Sequence, residues 1–264
     1  MYTLQSQQPF QSFIDNAISI CRLDTEAIGL AAGGSWASGE IDQYSDLDLV
    51  LVLARQLAPN VDQMRAYASN FGSLLASFRG DHVGEPRLLI ALYESPLLHV
   101  DIKFLTPVEF YHRVENPVVL WERDQLLTSI IRQSTAEYPP FDFQWTEDRF
   151  WVWMHYAALK IGRGEFLEAT DFLAFVRNVV LGPMLHLKQQ GLPRGVRRAE
   201  STFNQSDLIR LQQTVATPDR ASLLVSLNEA INLYEELRDE LAPVVLNKNR
   251  NAQLAVTQYL STIQ

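Results

Sequence analysis

Asp46 and Asp48 stand two residues apart at the head of an apolar run, LDLVLVL. In an extended strand residues two apart point to the same face, so the two carboxylates share a side. Like charges held together cost energy unless a cation offsets them. A divalent metal that takes carboxylate and phosphate oxygens as ligands suits this pairing. Upstream, Gly33-Gly34-Ser35 forms a turn that lets the backbone come close to a ligand. The Ser35 hydroxyl can donate to a phosphate oxygen there, and Ser45, beside Asp46, adds a second hydroxyl. A phosphate cradle followed by paired acids points to nucleotide chemistry. The competing reading is an Asp-rich turn ahead of a buried strand.

A later run, LLHVDIKFL over 97–105, carries charge inside an apolar strand. Alternation puts Val100, Ile102 and Phe104 on one face and His99, Asp101 and Lys103 on the other. A charge in such a place requires a partner or a metal. Lys103 can meet a phosphate or pair with Asp101, and His99 reads as an ordinary strand histidine. The alternative for the whole run is an edge strand with a polar outer face.

The order GGS, Gly39, then Ser45-Asp46-Leu47-Asp48 resembles the nucleotidyltransferases of the DNA-polymerase-beta type. Their motif is a glycine-serine turn, an Asp-x-Asp about a dozen residues on, and a third acid on a later strand. The resemblance covers residues ~25–105 and thins to general shape beyond them. It implies that Asp101 is the third carboxylate, beside Asp46 and Asp48. It also implies a small mixed sheet with flanking helices. Asp46, Asp48 and Asp101 are then the catalytic and metal-holding residues, and Gly34, Ser35, Ser45 and Lys103 the nucleotide-binding ones. Nucleotidyl transfer needs acids for two divalent ions, here Mg2+, roughly 3.5–4 Å apart. It also needs donors that hold a triphosphate in line, with ATP the expected donor substrate.

The elements that must position these residues follow in order. Phe10, Phe13, Ile14, Ala17 and Cys21 mark one face of a helix over 9–22. AIGLAA (27–32) is a short buried strand that delivers the chain to the glycines. Trp36–Ile41 is predicted as the short helix whose first amides face the phosphates. A strand begins at Leu47. Met64, Tyr67, Phe71, Leu74, Leu75 and Phe78 predict an amphipathic helix over 62–78. Two strands follow, 87–93 and 97–105, then a helical turn begun by Thr106-Pro107 and a further strand at Val118–Trp121.

Tyr138-Pro139-Pro140 breaks regular structure, which divides the chain into a catalytic domain, 1–138, and a helical bundle, 139–264. Helical periodicity marks 150–161, 165–181, a stretch near 207–215, a long helix after Thr217-Pro218-Asp219, and one near the C-terminus. Gly182-Pro183 is expected to kink or end the second of these. The fold class is therefore α+β, a small mixed sheet with flanking helices followed by a bundle of four or five helices.

Composition bounds the function. The chain has 264 residues, 47% of them hydrophobic and 20% charged, as globular domains do. No apolar run approaches the ~18 residues of a membrane span, and the N-terminus lacks a signal peptide's basic start and apolar core. A single cysteine, Cys21, excludes an internal disulfide, so a soluble cytoplasmic protein is expected. The net charge of −9 argues against a broad nucleic-acid surface and suits a small cationic co-substrate.

A catalytic domain of this type followed by a helical bundle looks like the antibiotic nucleotidyltransferases, which act on aminoglycosides or lincosamides. That resemblance implies transfer of a nucleoside monophosphate, AMP from ATP, to a small-molecule hydroxyl presented by the bundle across a cleft. A carboxylate often serves as general base in those relatives; Glu94, Glu165 and Glu168 are the acids available for it, and each also reads as a solvated or capping acid. Arg194, Arg197 and Arg198 form a basic loop that can reach phosphates or simply face water, and Trp151 and Trp153 read first as core. Two other classes compete. One is a protein-modifying (AMPylating) enzyme of the toxin–antitoxin kind, whose helical partner is a separate chain bearing an Arg-x4–6-His motif; here Arg177 and His186 are nine apart. The other is an inactive nucleotide-binding module, which would have lost one of the acids. Monomer and homodimer both remain open.

Overall fold

A computed structural model describes residues 4–263. Tertiary contacts divide it into two compact units, Met1–Pro139 and Pro140–Gln264. Among the described residues, no helix is long and apolar enough to cross a membrane.

The first unit is built on a six-stranded mixed sheet. Helix α1 (Leu4–Leu23) precedes β1 (Ala27–Ala32), the four-residue turn of helix α2 (Gly34–Ala37) and β2 (Leu47–Leu53). Then come α3 (Val61–Ala68), β3 (Leu74–Gly80), β4 (Glu85–Tyr93), β5 (Leu98–Leu105), α4 (Pro107–Phe110), β6 (Val118–Glu122) and α5 (Leu126–Gln133). The strand order is β3-β4-β5-β2-β1-β6. Only β2 and β5 run parallel; every other neighbouring pair is antiparallel.

Alternation on the two central strands sorts their side chains into two layers. Leu47, Leu49 and Leu51 of β2 join Val100, Ile102 and Phe104 of β5 beneath α1 and α3, in one core with Phe13, Ile14, Ala17, Cys21, Met64 and Phe71. Cys21 is the buried thiol its helical spacing suggests, and burial pushes its pKa up to about 12. On the opposite face, Val52 and Leu105 pack with Phe110 of α4 and Leu127 and Ile130 of α5. Asp48 and Asp101 belong to this second face, at the end of the strands where the apolar layer stops.

Three elements depart from the sequence reading. The helix expected over 62–78 stops at Ala68, passes through a single tight turn (Ser69–Phe71) and gives way to edge strand β3. Met64, Tyr67 and Phe71 are buried as a helix face should be. Leu75 and Phe78 are not: they stand on the edge strand, 51% and 54% exposed. The helix expected at Trp36–Ile41 begins two residues earlier and ends at Ala37. Gly39, at φ +70°, and the Glu40 N–H to Ser35 O bond (2.9 Å) turn the chain out of it. Helix α5 has no counterpart in the sequence reading.

The second unit is wholly helical: α6 (Phe143–Arg163), α7 (Phe166–Val176), α8 (Gly182–Lys188), α9 (Ala199–Thr202), α10 (Gln205–Gln213), α11 (Arg220–Leu241) and α12 (Arg250–Leu260). Asp219 caps α11 by accepting from Ser222 N–H at 2.9 Å. Gly182-Pro183 neither ends nor sharply breaks the chain it follows. A wide π-type turn at Arg177–Leu181 carries α7 into α8, and Gly182 N–H donates to Arg177 O. Pro183 then falls in the first turn of α8, where its missing N–H is harmless. The loop after α8 explains the glycine: a Cβ at Gly182 would run into Gly195 O.

The bundle core holds a buried ion pair, Glu147 with Arg238. Glu147 is fully buried and accepts from Tyr234 Oη at 2.6 Å, Asn249 N at 2.8 Å, Trp151 Nε1 at 3.2 Å and Arg238 Nη1 at 3.2 Å. Burial alone would raise its pKa. These donors and the Arg238 charge outweigh burial and hold the carboxyl below its ordinary range.

Candidate active site

The sheet brings two of the sequence-predicted acids, Asp48 and Asp101, side by side. Asp48 and Asp101 are direct register partners in the parallel β2–β5 pair, so their side chains leave the same face of adjacent strands. Asp46 sits just before β2, half-buried, and its charge reaches Asp101. The Asp101 side chain is 19% exposed, and its Oδ1 lies 2.9 Å from His99 Nε2. Burial pushes the Asp101 carboxyl up; the His99 bond and charge pull it back, Asp46 adds to the rise, and His82 opposes it. His99, which reads as an ordinary strand residue, is thus the group that orients the third acid. Its i, i+2 spacing from Asp101 was the available signal.

The glycine-serine turn lies against Asp48. Gly33 N–H donates to Asp48 O at 2.9 Å, and Gly34 has φ +53°, a conformation side chains disfavour. A Cβ on Gly34 would run into Asp48 Oδ2, so glycine is required by the closeness of that carboxylate. Gly34 N–H donates to Glu115 Oε1 at 3.1 Å. Ser35 is 7% exposed, and its Oγ has no hydrogen-bond partner among the described residues. A buried hydroxyl left in that state costs about 1–3 kcal/mol, and is expected where a ligand supplies the acceptor.

Two predicted nucleotide-binding residues are engaged otherwise. Ser45 accepts from Asp42 N at 2.9 Å and donates to Asp42 Oδ1 at 3.1 Å, which closes the loop ahead of β2. Lys103 shares the face of Asp101 but pairs with Glu85 Oε2 at 2.7 Å, not with Asp101. Arg87 holds the same Glu85 through two nitrogens, both at 2.7 Å. Burial would raise Glu85; Arg87 and Lys103 outweigh it and hold the carboxyl at about 2.

The acids weighed as general bases are also spoken for. Glu94 accepts from Ser73 Oγ at 2.7 Å at the mouth of the β4–β5 hairpin. Glu165 and Glu168 both pair with Lys160, at 2.6 and 3.0 Å, and Glu168 accepts the Tyr156 hydroxyl. Trp151 is core, donating to Glu147, whereas Trp153 stands in an edge-to-face chain with Trp145 and Phe175. The loop bearing Arg194, Arg197 and Arg198 folds on itself, with Arg194 N–H to Leu192 O at 2.8 Å, and packs its Gly195 on Gly182.

Asp46, Asp48 and Asp101 line one side of the site rather than converging on one point. Among the described residues, no group of three or more His, Cys, Asp or Glu side chains is drawn together to hold an ion by itself. That arrangement fits Mg2+, which is held by one or two carboxylates together with substrate phosphates and water rather than by an all-protein cage.

No protein-family model matches the chain, and no curated protein matches it. Solved structures similar in fold include an aminoglycoside 6-adenyltransferase from Bacillus subtilis, at 16% identity, with 95% of this chain and 97% of that one covered and a TM-score of 0.42. A nucleotidyltransferase-like protein from Exiguobacterium sibiricum aligns at 11% identity over 95% and 89% of the two chains, TM-score 0.41. A spectinomycin adenyltransferase from Enterococcus faecialis, solved with ATP and spectinomycin, aligns at 11% identity over 94% and 97%, TM-score 0.27. At these identities and scores the chemistry of the site rests on its own residues.

Proposed function

We propose that this protein transfers a nucleoside monophosphate, AMP from ATP, to a hydroxyl group of a small molecule of the aminoglycoside or lincosamide class. One observation carries the reading: Asp48 and Asp101 in register across β2–β5, with a buried Ser35 hydroxyl in the turn against Asp48 that has no partner among the described residues. Carboxylates on one face of adjacent strands suit a hard cation, and a buried donor with no acceptor among the described residues suits an anion. A metal-bound triphosphate supplies both.

Asp46, Asp48 and Asp101 would hold Mg2+, which when bound favours ionisation of the acceptor hydroxyl and neutralises charge on the departing pyrophosphate. The remaining work belongs to the chain. Ser35 Oγ and the first amides of α2 hold phosphate oxygens in line for attack. The paired strands keep Asp48 and Asp101 at fixed separation, and His99 fixes the rotamer of Asp101.

The test is incubation of the pure protein with Mg2+, labelled nucleoside triphosphates and a panel of aminoglycosides and lincosamides, with mass spectrometry of the products. One nucleotidylated antibiotic, absent with Asp48→Asn, is the expected result. Label found only on protein would overturn the acceptor class; no product from any triphosphate with the folded protein would overturn transfer itself.

A further inference from the structure

A second acid lies on the glycine turn, and neither the motif nor the proposed chemistry calls for it there. Glu115 comes from the loop joining α4 to β6, eighty-one residues along the chain from Gly34, and its Oε1 accepts from Gly34 N–H at 3.1 Å. The same oxygen stands 3.0 Å from where a Cβ on Gly33 would be, so both glycines admit carboxylates: Glu115 at one and Asp48 at the other.

This contact is built rather than incidental. Two residues before Glu115, the Arg113 guanidinium is 8% exposed and ties its loop to the end of α5. It donates to Asn116 Oδ1 at 2.7 Å, Ser134 Oγ at 2.6 Å, Ser134 O at 2.7 Å and Ile131 O at 3.2 Å. Glu115 lies between Arg113 and Asn116, the two ends of the first of these bonds. The loop therefore presents its carboxylate to the turn from a fixed base.

A backbone N–H does not distinguish a carboxylate oxygen from a phosphate oxygen: both are anionic acceptors at similar distances. The donors of the turn are thus divided, Gly34 N–H holding Glu115 and Ser35 Oγ, 7% exposed, holding nothing among the described residues. Resting on the nucleotidyl-transfer reading, we propose that Glu115 occupies the position of a triphosphate oxygen and must leave Gly34 when the nucleotide binds. The carboxylate then acts as a threshold. A monoanionic or weakly charged ligand gains too little to expel it, whereas a triphosphate carrying its own cation gains the Gly34 bond and the Ser35 bond together. Glu115 is on this view a specificity-determining residue for the donor substrate, not a catalytic one.

The test compares the full chain with Glu115→Ala and Glu115→Gln, by calorimetric titration with Mg·ATP and with magnesium tripolyphosphate, alongside the 15N amide resonance of Gly34. Glu115→Ala is expected to tighten both ligands about tenfold. Inorganic phosphate should show measurable binding only in the variant. Glu115→Gln, which keeps the shape and loses the charge, should fall between, and Mg·ATP should move the Gly34 amide resonance in the parent by displacing its acceptor. If Glu115→Ala does not fold, the near-isosteric Gln variant carries the test. Unchanged or weaker binding in a folded variant overturns the proposal, as does a fall in turnover with binding unaltered, the mark of a general base. If parent and variants alike bind no triphosphate, nucleotidyl transfer fails and this proposal with it. If the parent binds and the variants do not tighten, only the proposal fails.

Discussion

Asp101 in the sheet and Glu147 in the bundle are both acids withdrawn from water, and their pKa values move in opposite directions. Burial dominates at Asp101, where His99 is the hydrogen-bond partner and Asp46 repels it. At Glu147 burial is complete, yet a tyrosine, an indole, a backbone amide and an arginine outweigh it. The difference lies in the supply of donors, not in depth. A carboxylate saturated by its own chain is finished, and its work is to hold α6, α11 and the segment before α12 together. Asp101, by contrast, has one histidine against burial and the Asp46 charge, and on the proposed reading a cation would supply the rest. Burial of an acid alone therefore says little about chemistry; its hydrogen-bond ledger says much more.

The comparison predicts that damage to the two regions separates activity from stability. Asp48→Asn should lower transfer on the order of a thousandfold or more, while thermal unfolding of the metal-free protein stays level or rises, since like-charge repulsion is removed. Comparable turnover in mutant and parent would break the comparison at its active end. Asp101→Ala should likewise lower turnover by orders of magnitude but leave Mg·ATP binding nearly intact; equal loss of both would make Asp101 structural.

Glu147→Ala is the opposite case. It leaves Arg238, 4% exposed, with one partner fewer in the core, and removal of one member of a buried pair costs about 3–5 kcal/mol. Urea unfolding should show it. The pH dependence has a definite sign. The folded pKa of Glu147 lies below its unfolded value, so its contribution is fully present above the unfolded value, near 4.5. It is lost as pH falls through the folded value. A Glu147→Gln variant should therefore lose less stability than the parent on acidification below that point.

Ser35→Ala sharpens the comparison within the site itself. It should raise the apparent constant for ATP about tenfold, the loss of one bond to a charged oxygen worth roughly 1.5–3 kcal/mol. In the ligand-free protein it should not destabilise, because the hydroxyl it removes is buried with no partner among the described residues. The smallest effect is expected at Lys103. Its partner Glu85 keeps Arg87 when Lys103 is lost, so Lys103→Met should change ATP binding less than twofold and stability by about 1 kcal/mol or less. A large loss of ATP affinity would return Lys103 to the phosphates.

What could be read from the sequence follows the range of each signal. The glycine turn, Asp46 and Asp48 lie within sixteen residues, and β1, β2 and β5 are apolar or alternating runs, so these elements were legible, while the placing of Asp101 beside Asp48 came from the family resemblance. The stretch 69–80 was not, because Phe71, Leu74, Leu75 and Phe78 satisfy helical spacing while Leu74, Ala76 and Phe78 satisfy a strand equally well. Pairing with β4 decides it, and that is a tertiary fact. Helix α5 went unread although Leu127 and Ile130 are core, since only eight residues carry its pattern. Glu115 and Glu85 were invisible for a different reason: each meets its partner across a turn or a long chain separation, and nothing in the local sequence marks a carboxylate that will be folded onto a distant amide or lysine.

The parallel pairing of β2 with β5 has a consequence for insertions and deletions. One residue added or removed within 98–101 would slide Asp101 out of step with Asp48 and turn it toward the layer that holds Phe13 and Met64, with Val100 or Ile102 facing the site instead. One fault would thus strand a charge in oil and put oil where charge is needed. The connection Glu94–Leu97 lies outside that constraint, because β5 takes its alignment from β2 as well as from β4. Engineered length changes should therefore be tolerated at the hairpin tip and not in the strand a few residues later.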